Sequence, residues 1–219
     1  MKVLYGTTNP AKIEYMKEIL KGLDIEIVGL KDVDLNIGSV EEVGNSPLEN
    51  ARIKAINYSK YVDMPVFSCD TGLYINGLEV NKQPGVYVRR IQGEELSDEE
   101  MITHYSHLAE SLGGQVDAKY MNAICLVVNG SEIYEYDGED IASREFIITK
   151  DPHNIRTKGF PLDSISIDIK TKKYFVELDE ENDDEYIETN TDAYRSFFKT
   201  SLKIKQSYWQ NRHNGLKFN

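Results

Sequence analysis

The sequence predicts an α/β fold, a mixed central sheet flanked by helices, on three observations. Short apolar segments alternate with helix-like segments through roughly the first hundred residues, the helix-like segments open on recognisable caps, and a hairpin signal after residue 120 interrupts the alternation. Alternation favours parallel strands and a hairpin adds antiparallel ones, so the sheet is mixed.

Each element has a local reason. Val3-Leu4-Tyr5 is a short apolar strand. Asn9 is a good N-cap and Pro10 a good first helical residue, and Ile13, Met16 and Leu20 then recur at helical spacing. Residues 24–30 read as a strand, followed by a turn-rich stretch to Asn45. Ser46 and Glu49 form an S-x-x-E capping box that opens a helix over 47–61, with Glu49 expected to reach back to the Ser46 N–H. Pro65-Val66-Phe67 starts a strand that runs through Gly72 to Leu73-Tyr74-Ile75. Ser97 and Glu100 make a second box, opening a helix with Met101, Tyr105, Leu108 and Leu112 on one face and Gly113-Gly114 at its end. Residues 121–128 and 132–136 flank Asn129-Gly130, a type I′ hairpin signal. Ile165, Ile167 and Ile169 alternate like a half-buried strand, and 191–205, with Phe197, Phe198 and Leu202, closes as a helix. No repeat or linker divides 1–219, which reads as a single domain of two lobes with an active cleft between them.

Three stretches suggest chemistry. Asp70 ends an apolar run and is followed by Thr71 and Gly72, which puts a carboxylate capable of holding a metal where little bulk obstructs a phosphate, though Asp-Thr-Gly also makes an ordinary turn. Thr7, Thr8 and Asn9 precede a helix start with Lys12 in its first turn, an arrangement of free N–H groups and positive charge suited to a polyphosphate and equally consistent with a plain capped helix. Glu49 is a cap by its spacing, and a hard-cation ligand if the fold brings it to Asp70.

Composition limits the alternatives. The formal charge of −12 opposes a general polynucleotide binder, and much of it sits in a run from Glu177 to Glu188 that reads as a solvated loop. Lys199, Lys203, Lys205, Arg212 and Lys217, with Tyr208 and Trp209, form a basic tail better explained by a terminal helix and packing aromatics than by nucleic-acid contact. No apolar run reaches the roughly 18 residues that span a membrane, and no signal-peptide core follows Met1, so a cytoplasmic location is expected. Cys69 and Cys125 lack metal or redox spacing and read as packing residues. His104 and His107, with no third partner, read as solvent-facing, and neither His153 nor His213 reads as a catalyst.

In order along the chain, Thr7-x-Asn9-x-x-Lys12, Glu49-Asn50-Ala51-x-x-Lys54-Ala55, Asp70-Thr71-Gly72-Leu73 and Pro84-Gly85-Val86-Tyr87-x-x-Arg90 resemble the motifs of the inosine triphosphate pyrophosphatase family. The resemblance covers roughly the first ninety residues well and the rest loosely. It implies magnesium-dependent hydrolysis of a non-standard purine nucleoside triphosphate to the monophosphate and pyrophosphate, and a homodimer. It further implies that Thr7, Thr8, Asn9 and Lys12 hold the triphosphate, that Glu49 and Asp70 bind magnesium with Asp70 as the base, and that Lys54, Thr71 and Arg90 touch substrate. Lysine, metal and a carboxylate-held water suffice for such a substitution at phosphorus without a covalent nucleophile.

The sequence departs from the family in three places. Cys69 stands where many relatives have a second acid, which lowers the carboxylate count. Gly159-Phe160-Pro161-Leu162-Asp163-Ser164 stands where relatives show Gly-Phe-Gly-Tyr-Asp-Pro, keeping Phe160 and Asp163 as substrate contacts but losing the tyrosine. Ala193-Tyr194-Arg195 is nearest to a Ser-His-Arg motif that reads the base, with Arg195 retained. A changed base preference, or a nucleotide-binding protein without turnover, therefore stand as alternatives.

Overall fold

A computed structural model describes residues 1–33, 40–91, 93–178 and 184–204, with side chains of the last helix described from 190 onward. Nine strands and four α-helices occur in these residues: β1 Lys2–Tyr5, α1 Pro10–Ile19, β2 Glu26–Gly29, α2 Pro47–Ser59, β3 Val66–Ile75, β4 Arg90–Ile91, β5 Glu94–Glu95, α3 Asp98–Ser111, β6 Gln115–Val128, β7 Glu132–Tyr136, β8 Phe146–Thr149, β9 Ser166–Asp168 and α4 Asp184–Ser201. The mixed sheet expected from sequence is present. Its order is β2-β1-β3-β6-β8-β9 with β7 also on β6, and β4 and β5 form a separate small ladder. The β1 pairings to β2 and β3 are parallel, whereas β3–β6, β6–β7, β6–β8 and β8–β9 are antiparallel.

The longest ladder joins β3 to β6 over ten consecutive pairs, from Val66↔Val127 to Ile75↔Ala118. Two smaller apolar clusters lie under α2, and the two largest lie along the ladder. One gathers Val3, Tyr5, Met16, Ile19, Phe67, Ile124, Tyr194 and Phe198 under α1 and α4, with Phe67 stacked on Tyr5 at 4.3 Å. The other gathers Leu73, Ile75, Met101, Tyr105, Phe146, Ile148, Leu162 and Ile165 under α3. These are the two lobes, and the β3–β6 ladder is common to both.

Several elements differ from the sequence reading. Strand β6 begins at Gln115, six residues before the predicted start, because Val116, Ala118 and Tyr120 alternate inward between polar residues. Strand β8 was not predicted: Phe146-Ile147-Ile148-Thr149 is a short apolar run without periodicity. Ile169 falls outside β9, which ends at Asp168. The acidic run was expected to be a loop, yet α4 begins at Asp184 and includes Glu185 and Glu188; residues 179–183 lie outside the described residues. So do the predicted helix end at Lys205 and the rest of the basic tail, including Tyr208, Trp209, Arg212 and Lys217. The Asn129-Gly130 turn forms as expected, both residues having positive φ.

Candidate active site

The cleft lies on one edge of β3. Along its first residues that edge is covered by β1: the Leu4 N–H donates to Pro65 O and the Gly6 N–H to Phe67 O. At the far end Leu73 and Gly85 exchange backbone bonds of 2.9 and 3.0 Å. Odd-numbered β3 residues therefore face this edge, and between the two covers the N–H and C=O groups of Cys69 and Thr71 have no backbone partner among the described residues. The gap opens between the loop that leaves β1 and the Pro84–Tyr87 turn. Gly72 makes the second boundary possible, since a Cβ there would lie 3.2 Å from the Gly85 backbone.

The first boundary is the phosphate-loop candidate. The Thr7 N–H bonds Tyr5 O at 2.7 Å and turns the chain off the sheet. Asn9 Oδ1 accepts from the Ala11 N–H at 2.9 Å, so Asn9 caps α1 as predicted, while Thr7 Oγ1 accepts from the Asn9 N–H at 3.2 Å. Lys12 is half-buried, close enough to act electrostatically on Cys69, and its ammonium has no hydrogen bond or ion pair among the described residues. A free cation over the positive end of a helix suits an anion. Gly159, with φ +88°, comes close to Asn9: a Cβ built on it would sit 3.8 Å from Asn9 Nδ2. The Gly159–Phe160 loop thus closes over the same helix start.

Across the gap, α2 contributes Lys54. Its Nζ donates to Asp70 Oδ1 at 3.0 Å and to Glu42 Oε1 at 2.9 Å. Burial opposes the ammonium charge, but the two carboxylates outweigh it and hold the lysine above its ordinary value. Asp70 is only 8% exposed, and its Oδ2 has no hydrogen-bond partner among the described residues.

The predicted residues separate on this geometry. Lys12, Lys54 and Asp70 converge on the gap from its two sides. Glu49 does not join Asp70 directly. Its Oε2 accepts from the Asn45 N–H at 2.7 Å, one residue beyond the Ser46 N–H expected for a capping box. The acid that shares Lys54 with Asp70 is Glu42, which the sequence reading passed over although it stands just before the glycine-containing approach to α2. Thr71 Oγ1 donates to Asn122 Oδ1, and Arg90 is exposed on β4. Phe160 is exposed, and Asp163 sits in a short helical turn where burial raises its carboxyl from 3.8 to about 6.

Arg195 is a correction. Its guanidinium donates to Ile19 O at 3.0 Å and Lys21 O at 2.7 Å, satisfying carbonyls at the C-terminal end of α1, away from the gap. Tyr194 is a core residue at 4% exposure, and Leu162 lies in the α3 cluster at 3%, so neither stands in for a base-reading side chain. Both thiols are pushed up to about 12 by burial, which removes them as nucleophiles and agrees with the packing role expected of them.

A helix-start cation and a lysine-held carboxylate flanking an open strand edge mark an α/β protein with a charged cleft at the edge of its sheet. The Ham1 family model, matching residues 3–199, says which one: the chain belongs to the Ham1 family. It is 36% identical to a dITP/XTP pyrophosphatase of Thermoanaerobacter pseudethanolicus over 128 residues, which are 58% of this chain and 63% of that protein. With a dITP/XTP pyrophosphatase of Christiangramia forsetii it shares 32% identity over 82% of this chain and 88% of the relative. In several of these alignments the chain thus spans somewhat under two thirds of the relative's length. A Ham1 protein from Coxiella burnetii superimposes with TM-score 0.73 and the Staphylococcus aureus Ham1 protein with 0.68, each at 23% identity over 91% of this chain and 99% of the other. Those two likenesses support the fold. Among the described residues no helix is long and apolar enough to cross a membrane.

Proposed function

We propose that the chain hydrolyses a nucleoside triphosphate with a non-standard purine base to the monophosphate and pyrophosphate. The observation that carries this reading is the convergence of Lys12, Lys54 and Asp70 on the open β3 edge. It agrees with the activity for which the relatives are named.

In this reading Thr7, Thr8, Asn9, the α1 amides and Lys12 hold the triphosphate. Lys54 pins Asp70 in one position and keeps a positive charge over the site. Asp70 takes the proton of a water attacking the α-phosphorus, and pyrophosphate leaves along the Lys12 side. Arg90 offers a further cation at the rim, while Phe160 and Asp163 enclose the nucleoside. Magnesium fits this donor set. Among the described residues no three His, Cys, Asp or Glu side chains converge on a common metal position. Magnesium commonly takes one or two carboxylates and completes its shell with substrate phosphates and water. Asp70, with one oxygen unbonded, and Glu49 at the start of α2 would hold it. Its chemistry there is charge neutralisation of the phosphates. A homodimer and a cytoplasmic location complete the proposal.

A second reading, a shifted base preference, is favoured by one observation: Leu162 and Tyr194 are core residues and Arg195 is bound to α1, so the groups aligned with base-reading residues face elsewhere. A pyrophosphate-release screen across standard and deaminated triphosphates, with wild type and Asp70→Asn in parallel, separates the readings. Release confined to inosine and xanthosine triphosphates rejects the shift. No release from any nucleotide rejects the enzyme and leaves a binding protein.

A further inference from the structure

Thr71 and Asp70 are neighbours on β3 and point to opposite faces of the sheet. Asp70 meets Lys54 of α2, and Thr71 meets its cross-strand partner Asn122 on β6. A threonine hydroxyl has one proton to donate and two lone pairs to offer. Here the proton is committed: Thr71 Oγ1 donates to Asn122 Oδ1 at 2.8 Å. The amide orientation that makes this possible is itself fixed, because Asn122 Nδ2 donates to Ile141 O at 2.7 Å. Turning the amide over would set its oxygen against that carbonyl and its NH₂ against Thr71. Toward the open edge, Thr71 is therefore an acceptor only.

Triphosphate oxygens at neutral pH are also acceptors, so a hydroxyl in this state does not bind them. Resting on the functional reading above, we propose that Thr71 accepts a hydrogen bond from the nucleoside part of the substrate, from a sugar hydroxyl or a base N–H, and that Asn122 is the positioning residue that makes it do so. Within the substrate, hydrogen-bond donors occur in the nucleoside, on sugar hydroxyls and base N–H groups, and not in the triphosphate. Asn122 acts through Thr71 and touches no substrate.

The test pairs protein variants with substrate analogues, using pyrophosphate release from inosine triphosphate, its dideoxy-sugar analogue and an analogue N-methylated on the base. In wild type, the analogue lacking the recognised donor is expected to show a KM raised about tenfold, the cost of leaving Thr71 unpaired in a desolvated contact. In Thr71→Val that penalty disappears for the same analogue and persists for the other, which tells sugar from base. Asn122→Leu releases the Thr71 proton and is expected to raise KM about tenfold with kcat held. Should Asn122→Leu fail to fold, Thr71→Val, which leaves the Asn122–Ile141 bond in place, decides alone. Penalties from both analogues that are equal in wild type and Thr71→Val overturn the inference, as does a folded Asn122→Leu with unchanged KM. A wild-type protein releasing no pyrophosphate removes the functional reading and this inference with it; an active wild type indifferent to Thr71 and Asn122 removes only the latter.

Discussion

Ser46 and Ser97 each accept a hydrogen bond from the backbone N–H three residues on, at 3.2 and 3.4 Å, and each is followed at that position by a glutamate. From there α2 and α3 diverge. Glu100 folds back onto the Ser97 N–H and hydroxyl and closes the box. Glu49 instead reaches Asn45, because the chain arrives at α2 from a different direction: a Cβ on Gly44 would lie 2.6 Å from Asn50 Oδ1 and 2.7 Å from Glu49 Cβ, so only glycine lets the backbone lie this close to the helix start. The Gly44 N–H donates to Asn50 Oδ1 at 2.8 Å and fixes the approach, and two residues earlier Glu42 meets Lys54. The α3 box satisfies its own backbone, and the acids beside it, Asp98 and Glu99, hold the surface arginines Arg89 and Arg156. The α2 start is bent out of the ideal motif by contacts that deliver a lysine to the carboxylate proposed as the base, and departures from local rules gather at such places.

The sharpest way to break this contrast is Asp70→Asn. Loss of the proposed base is expected to lower pyrophosphate release about 1,000-fold with an unchanged circular dichroism spectrum; retained turnover would make α2 as purely structural as α3. Next comes Lys54→Met, which strands Asp70 as a buried, unpaired acid and frees the half-buried Glu42, and is expected to lower stability by about 3 kcal/mol in urea unfolding. The raised lysine value implies that this contribution is complete below the ordinary lysine range and fades only as pH rises through the folded value, so the Lys54→Met deficit should be constant from neutral to mildly alkaline pH.

A third test concerns the α3 lobe, where Asp163 titrates near 6 because burial disfavours its charge. The fold prefers the neutral acid, so the stability it gives is complete below about pH 3.8 and is lost as pH climbs through about 6. Asp163→Asn should then match wild type in acid and exceed it by about 2 kcal/mol at neutral pH, read from thermal unfolding at both. The smallest effect tests the caps themselves. Ser97→Ala is expected to cost about 1 kcal/mol and leave turnover alone, whereas Ser46→Ala should cost the same and also slow turnover, because it frees the approach that holds Glu42. Equal kinetics in the two variants would erase the distinction.

What could be read from the chain was what depends on neighbours in sequence. Asn9 with Pro10, the Ser97 box, the Asn129-Gly130 turn and the order of the phosphate-loop and Asp70 motifs all announce themselves within a few residues. What could not be read depends on partners far along the chain. Glu42 is 12 residues from Lys54, and Arg195 is 176 from Ile19. Strand β8 is short and uniformly apolar, so only pairing to β6 and β9 identifies it. Asn122 gave no signal at all, since an asparagine in a strand acquires meaning only from what stands opposite.

Between the lobes the sheet thins. Strand β1 leaves β3 at Phe67, Gly85 rejoins it at Leu73, β7 begins on β6 at Ile124 and β8 stops at Ala118. The molecule therefore has a waist only two strands wide, and a two-stranded ribbon is the most easily twisted form of sheet. Asp70, Thr71 and Asn122 all sit on it. Any rocking of one lobe against the other flexes this ribbon and, with it, resets the aim of all three side chains.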